Sequence, residues 1–206
     1  MAKVKICGLR RDEDIQIVNQ YKPDYVGFII DYPKSFRNVS IDQVKEWKSQ
    51  LDPSIQVVGV FVDEDVDIVI DCLQKQIIDI AQLHGKEDED YINKVKEYGP
   101  VIKAFQIQNE QDIQSAIESH ADHVLLDQGK GSGKNFDWNL IKEMKRPYFL
   151  AGGITVENVL DTKKYHPYAI DVSSSVESNQ KKDKEKVKIL LARALFGNPD
   201  ILLLDE

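Results

Sequence analysis

Residues 57–62 read VVGVFV, a run that is apolar at every position apart from one glycine. A strand with one solvated face alternates apolar and polar residues, whereas a strand covered on both faces of a parallel sheet is almost continuously apolar. The run therefore predicts a central strand of a parallel sheet. Seven further short apolar runs occur along the chain, at residues 4–7, 25–30, 78–83, 101–105, 123–127, 148–151 and 169–173.

Segments with apolar residues at helical spacing separate these runs and follow the last one. They span residues 12–20, 41–50, 65–76, 87–97, 110–119, 139–145, 155–163 and 182–195. Eight strand–helix units in 206 residues fit the lower length limit of a (β/α)8 barrel, the TIM barrel. The alternative is an open doubly wound sheet, but the first turn reads CGLR and lacks the G-x-G-x-x-G pattern typical of that class.

Composition and charge restrict the class of protein further. The 27 basic and 35 acidic residues give a net charge of −8, which disfavours nucleic acid or an anionic membrane as the main partner. There is no apolar leader and no run of about 18 apolar residues, so we expect a cytoplasmic protein that does not span a membrane. The two cysteines, Cys7 and Cys72, neither form a disulfide framework nor have metal-ligand spacing. We expect one domain, residues 1–195, followed by an atypical apolar tail, residues 196–206.

Polar residues follow several of the predicted strands, where the active sites of α/β barrels lie. Cys7, His84 and Asp127 come at the ends of the first, fourth and sixth runs. A polar residue is also needed simply to lead a strand out of the core. Several such ends, carrying a thiol, an imidazole and a carboxylate, nevertheless favour an active site at this face.

The loops after the last two predicted strands read AGGI and DVSSS. Gly152 and Gly153 allow backbone N–H groups to approach an anion, and Ser173 and Ser174 add hydroxyl donors. Barrels frequently bind a phosphate group between these two loops. The pattern therefore predicts a phosphate site, although two ordinary tight turns would also explain it.

Seven motifs at these strand ends, in unbroken order from about residue 3 to about residue 188, resemble one family. They are KICGLR, GFII followed by SFRNV, GVFV, QLHG, LLD followed by GSGKNFDW, LAGGIT and DVSSSVE. Together they are similar to phosphoribosylanthranilate isomerases. The resemblance implies a metal-free and cofactor-free Amadori rearrangement of N-(5-phosphoribosyl)anthranilate to an aminoketose, in tryptophan biosynthesis, with a monomer or a homodimer as the assembly.

The resemblance also implies roles for individual residues. Cys7 corresponds to the general base, Asp127 to the general acid, and Arg37 to the ligand of the anthranilate carboxylate. Apart from the resemblance, His84 in QLHG is a candidate to line the substrate pocket, and a structural histidine in a turn is the alternative. The glycine and serine loops described above correspond to the family's phosphate loops.

General acid–base chemistry at neutral pH requires the thiol to be deprotonated and the carboxyl to be protonated. Reference pKa values of about 8.5 for a thiol and about 3.9 for an aspartate leave each group largely in the wrong protonation state. We therefore expect the site to lower the pKa of Cys7 and to raise that of Asp127. Strand alternation places Lys5 on the same side as Cys7, and it places Asp171 of the neighbouring strand on the same side as Ser173. A Lys5–Asp171 pair that favours the thiolate is one expectation, and the alternative is a Lys5 that points to the bottom of the barrel and stabilises nothing catalytic.

The chain departs from the family pattern at three places. Ser175 stands where the family usually has a glycine, and Gln180 stands in another usual glycine position. A left-handed backbone at Ser175 would weaken phosphate binding. The ending LARALFGNPDILLLDE, residues 191–206, resembles the Walker B segment of ABC ATPases, but no Walker A loop precedes it.

Three other functions remain open on sequence grounds. A sugar-phosphate epimerase would need metal ligands at the strand ends, and an indole-forming synthase would need a catalytic lysine, for which Lys103 is the evident candidate. The third alternative is a catalytically weakened phosphate-binding barrel that serves as an interaction module, and its support is Ser175 and the unusual tail.

Overall fold

The protein is an eight-stranded parallel barrel in a computed structural model that describes residues 2–127 and 140–196. The strands are β1 (Lys3–Cys7), β2 (Tyr25–Ile30), β3 (Gln56–Phe61), β4 (Ile80–Leu83), β5 (Val101–Gln106), β6 (His123–Asp127), β7 (Tyr148–Leu150) and β8 (Ala169–Val172). Strand β1 pairs in parallel with both β2 and β8, which closes the sheet. The predicted (β/α)8 fold is therefore confirmed, and the open doubly wound sheet is excluded.

Side chains of alternate strand residues form two separate cores. Inside the barrel, Val58, Ile80, Ile102 and Leu125 belong to one apolar cluster. Their sequence neighbours point outward and pack against the helices in a second, larger cluster. Because both faces of each strand are covered, a continuously apolar sequence such as that of β3 is stable here.

Six α-helices occur in the described residues: α1 (Asp12–Tyr21), α2 (Ile41–Gln50), α3 (Val66–Gln74), α4 (Glu89–Lys96), α5 (Glu110–Glu118) and α6 (Lys184–Phe196). Ser40 caps α2: its hydroxyl accepts from the Gln43 N–H while the Gln43 side chain accepts from the Ser40 N–H. Such a capping box satisfies two backbone donors that the helix itself leaves unpaired. Asn109 forms the equivalent box at α5.

The predicted helices over residues 139–145 and 155–163 are wrong as α-helices. The chain forms 3₁₀ turns there, at Leu140–Glu143 and Val159–Tyr165. In the second turn Val159 and Thr162 are buried and Tyr165 packs against the core. This spacing of three matches the 3.0 residues per turn of a 3₁₀-helix better than the 3.6 of an α-helix.

Two segments with sequence predictions fall outside the described residues. Residues 128–139 contain the whole GSGKNFDW motif, and residues 197–206 contain most of the ATPase-like ending. The domain boundary at residue 195 therefore stays a prediction. Within residues 2–127 and 140–196, no helix has the length and apolar character needed to cross a membrane.

Candidate active site

A cavity of about 520 Å³ opens at the carboxyl ends of the strands. Seven of the eight predicted site residues line it: Cys7, His84, Asp127, Gly152, Gly153, Ser173 and Ser174. The eighth, Arg37, is not among the lining residues. The strand ends thus bring a thiol, an imidazole, a carboxylate and two small-residue loops to one cavity.

Cys7 lies beside a buried ion pair at the base of the cavity. The Lys5 Nζ atom is 3.0 Å from Asp171 Oδ2, and the Lys5 side chain has no exposed surface, so the predicted pair is present. Strand β2 leaves room for both neighbours at Gly27, where a Cβ atom would stand 2.7 Å from the Cys7 sulfur and 3.2 Å from Lys5 Cε. A side chain at position 27 would therefore displace the thiol.

The prediction that the site lowers the pKa of Cys7 is wrong. Burial raises the pKa of the thiol, and although the Lys5 ammonium acts in the opposite direction, the net shift is upward. The physical reason is that Cys7 is only 8% exposed, so its thiolate loses most of its hydration. Asp171 also raises the pKa of Cys7 and so offsets part of the effect of Lys5.

Further polar contacts connect the ion pair to Gln82, His84 and Asp127, which line the cavity. Lys5 Nζ donates to Gln82 Oε1 at 2.7 Å, and Gln82 Nε2 lies 3.1 Å from His84 Nδ1. The other ring nitrogen, His84 Nε2, is 3.8 Å from Asp127 Oδ2. Burial lowers the pKa of His84, while Asp127 acts to raise it. Polar contacts therefore extend from the ion pair beside the thiol to the imidazole beside the carboxylate.

The loops after β7 and β8 form the rim of the cavity that was predicted to bind phosphate. Gly152 and Gly153 have φ values of 81° and 64°, a left-handed conformation in which a side chain would be strained. Ser173, Ser174 and Ser175 continue the same rim. Two glycines and three serines therefore share one rim, and glycine backbone and serine hydroxyls are groups that bind phosphate in such loops.

The two glycine positions of the family that are replaced here behave differently. Ser175 is absent from the described residues with positive φ and lies in a 3₁₀ turn, Ser174–Val176, so the strain considered for it does not arise. Its Oγ atom is buried and has no hydrogen-bond partner. Gln180 instead has φ 61°, a left-handed backbone that is less favourable for glutamine than for glycine. It lies in the tight hairpin between Glu177–Ser178 and Lys181–Lys182.

Arg37 forms a two-pronged ion pair with Glu177 at the edge of the site. Its Nε and Nη2 atoms donate to the two carboxylate oxygens at 2.8 and 2.7 Å. Lys182 donates to the same carboxylate at 2.8 Å. Burial acts to raise the pKa of Glu177, but these hydrogen bonds prevail and lower it to about 2. The pair joins the loop after β2 to the hairpin after β8.

Lys103, the candidate residue for a synthase, faces away from this chemistry. Its ammonium donates to Glu87 at 2.6 Å and to the Gly85 carbonyl at 2.8 Å, and it is not among the residues that line the cavity. The Glu87 carboxylate in turn accepts from the Asp63 N–H. Lys103 therefore holds the loop after β4 in place.

The epimerase alternative finds equally little support. In the part of the chain that the structure describes, no group of three or more His, Cys, Asp or Glu side chains could hold a metal ion. The donor set that such an enzyme would place at the strand ends is thus missing from residues 2–127 and 140–196.

Sequence reasoning gave no role to several residues of the site. Gln82 is 1% exposed and inward-facing, and a glutamine between apolar residues of β4 was a signal that could have been used. Tyr32, Ser35 and Thr155 also line the cavity. They belong to loops whose path cannot be inferred from strand alternation.

The fold and the site together define a (β/α)8 barrel with a polar cavity at the carboxyl ends of its strands. A model of the family N-(5'-phosphoribosyl)anthranilate isomerase matches residues 4–193. The chain therefore belongs to the N-(5'-phosphoribosyl)anthranilate isomerase family.

Individual relatives are similar over nearly the whole chain. N-(5'-phosphoribosyl)anthranilate isomerase of Endomicrobium trichonymphae is 44% identical over 91% of this chain and 95% of its own length. A phosphoribosylanthranilate isomerase solved with reduced 1-(o-carboxyphenylamino)-1-deoxyribulose 5-phosphate is 35% identical, with a TM-score of 0.83 over 94% of this chain and 98% of its own. Monomers generated from the dimeric enzyme of Thermotoga maritima are 36% identical, with a TM-score of 0.84 over the same shares.

Proposed function

We propose that this chain converts N-(5'-phosphoribosyl)anthranilate to 1-(2-carboxyphenylamino)-1-deoxyribulose 5-phosphate in tryptophan biosynthesis, with Cys7 and Asp127 as base and acid. The observation that carries the proposal is that both side chains line one cavity together with the glycine and serine loops. Family membership supports the same reaction.

Asp127 acts first, as the general acid. Its protonated carboxyl gives a proton to the ring oxygen of the ribose, the bond from C1 to that oxygen breaks, and a Schiff base forms between C1 and the anthranilate nitrogen. A further hydrogen-bond donor would stabilise the carboxylate that remains. His84, with Nε2 at 3.8 Å, is placed to provide one after a small approach.

Cys7 acts second, as the general base. Its thiolate takes the proton from C2, and the electrons of that bond form the C1–C2 double bond while the imine electrons return to nitrogen. The enol then becomes the ketone, with one proton added at C1 and one lost from the O2 hydroxyl. The Lys5 ammonium, which acts to lower the pKa of the thiol, stabilises the thiolate in this step.

The remaining residues hold the two anionic ends of the substrate. Gly152, Gly153, Ser173 and Ser174 bind the phosphate through backbone amides and hydroxyls. Arg37 binds the anthranilate carboxylate, and because Glu177 already takes its Nε and Nη2 donors, the substrate must use the other guanidinium face or displace Glu177. No cofactor takes part in this scheme.

The oligomeric state and the cellular location of the protein form a separate part of the proposal. A monomer or a homodimer, acting in the cytoplasm without nucleic acid, stays the expectation from the sequence. The dimeric Thermotoga relative favours a dimer. Sedimentation of the purified chain over a range of concentrations tests this part separately from the activity.

The activity is tested by the loss of anthranilate fluorescence when freshly made substrate is added to purified protein. We expect Cys7→Ala and Asp127→Asn each to abolish turnover. Matched controls are Cys72→Ala, the other buried thiol, which lies on α3, and Asp67→Asn, whose side chain is 82% exposed. Full activity in either site variant would reject the assigned roles, and inactive wild-type protein would reject the function itself.

A further inference from the structure

A glutamine amide joins the two halves of the acid–base machinery. Gln82 extends from β4 into the barrel, is 1% exposed, and has polar partners on both sides of its amide. On one side lies the Lys5 ammonium, at 2.7 Å from Oε1, and on the other lies His84 Nδ1, at 3.1 Å from Nε2.

The Lys5 ammonium determines which way this amide faces. An ammonium group has three donors and no acceptor, so only the carbonyl oxygen of Gln82 can face it. The alternative orientation would direct the NH₂ group at a buried cation. Lys5 is held in place by Asp171 on β8, so the amide cannot escape the restriction by a shift of the lysine.

The orientation of the amide in turn determines the protonation of the imidazole. Gln82 Nε2 is then a donor, so His84 Nδ1 must accept. A neutral imidazole has one protonated nitrogen and one acceptor, and the proton must therefore lie on Nε2. That nitrogen is the one that faces Asp127 Oδ2, at 3.8 Å.

We propose that Gln82 is a positioning residue that holds neutral His84 in the Nε2–H tautomer, with the proton directed at the acid–base partner Asp127. Burial lowers the pKa of His84, in keeping with a neutral ring at physiological pH. The inference rests on the proposed function in one respect: the Nε2–H group stabilises the Asp127 carboxylate after it has protonated the sugar. The opposite tautomer would set a lone pair against that carboxylate.

The first test needs no substitution and no substrate. Two-bond nitrogen–proton correlation spectra of the uniformly ¹⁵N-labelled full chain, above the pKa of His84, report which ring nitrogen carries the proton. We expect His84 Nε2 to show the protonated shift and Nδ1 the unprotonated one. A proton on Nδ1 would overturn the inference, whether or not the enzyme turns over its substrate.

The second test separates a positioning role from a merely structural one. In Gln82→Glu both carboxylate oxygens accept, so we expect the His84 proton to appear on Nδ1 and kcat to fall by up to about a hundredfold, with KM little changed. The control is Gln74→Glu, which adds the same charge at the exposed end of α3 and should leave the His84 shifts unaltered. A relocated proton with an unchanged kcat would refute the positioning role.

Gln82→Met serves if the glutamate variant does not fold. It keeps the shape of the side chain while it removes both hydrogen bonds, so His84 should populate both tautomers. A His84 that keeps the pure Nε2–H form in this variant would show that the amide is not responsible.

Discussion

Replacing Lys5 by methionine tests the ion pair and the thiol together. The substitution keeps an unbranched side chain of similar length and removes the ammonium that contacts Asp171, Gln82 and the Cys7 thiol. Burial acts to lower the pKa of Lys5, but Asp171 and Cys7 prevail and raise it, so the ammonium is the form that the folded protein holds. We expect two effects, one on stability and one on the titration of Cys7.

The loss of stability follows from burial. Lys5 has no exposed surface and the Asp171 side chain is 9% exposed, and Asp171 Oδ1 has no hydrogen-bond partner. Removal of one partner of such a pair costs about 3–5 kcal/mol because the other charge stays buried alone. For a chain of this length, each kcal/mol lowers the melting temperature by about 2–4 °C. The double variant Lys5→Met/Asp171→Asn should lose less, since no charge is left unpaired.

The titration of Cys7 should move in a definite direction. Lys5 acts to lower the pKa of this thiol, so its removal should raise that pKa still further. The assay is the ultraviolet absorbance of the thiolate against pH, together with the alkaline limb of kcat/KM. Cys72 is an internal control, because burial raises its pKa to about 11 and Lys5 does not contribute to that shift. An unmoved Cys7 titration, or a variant within about 1 kcal/mol of the wild type, would refute the reasoning.

Three further outcomes are expected. Gln180→Gly should stabilise the chain by about 1 kcal/mol in urea unfolding, because it relieves a φ of 61°, whereas Ser175→Gly should give no gain. Gly27→Ala should lower kcat by about a hundredfold with an unchanged circular dichroism spectrum, since its Cβ would lie 2.7 Å from the Cys7 sulfur. Acid should destabilise the wild type between pH 4.5 and about 2, because the ionised Glu177 carboxylate, with its lowered pKa, stabilises the fold and is protonated over this range. Thermal melts against pH should show that Glu177→Gln lacks this part of the pH dependence.

The strands of the barrel could be predicted because their sequence pattern has one cause. Burial on both faces requires apolar residues throughout, and the run at residues 57–62 differs by one residue at each end from β3, Gln56–Phe61. The two predicted α-helices that are 3₁₀ turns in the structure lie outside the strands, where burial on both faces does not apply. The 3₁₀ turn Val159–Tyr165 and an α-helix both bury residues three apart, and the sequence alone does not separate them.

In the site, too, one contact could be predicted from a local pattern of the sequence and others could not. The Lys5–Asp171 pair followed from strand alternation, which is a local rule. The contact of Lys5 with Gln82 joins residues 77 positions apart across the barrel interior, so it depends on closure of the sheet. The ion pair of Arg37 with Glu177, which are 140 positions apart, likewise depends on how two loops meet.

The raised pKa of Cys7 shows that a nearby positive charge alone does not predict the direction in which the pKa of a buried thiol shifts. The sequence indicated a nearby cation and therefore a stabilised thiolate, but the same barrel interior that brings Lys5 close also removes water. Burial has the larger effect on the pKa of Cys7, and Asp171 offsets part of the lowering that Lys5 causes. A thiol of higher pKa is ionised less often, yet its thiolate is the stronger base for a proton on carbon. Lys5 therefore limits the cost of burying a strong base, and its position beneath both Cys7 and Gln82 links that base to the orientation of His84 beside the acid.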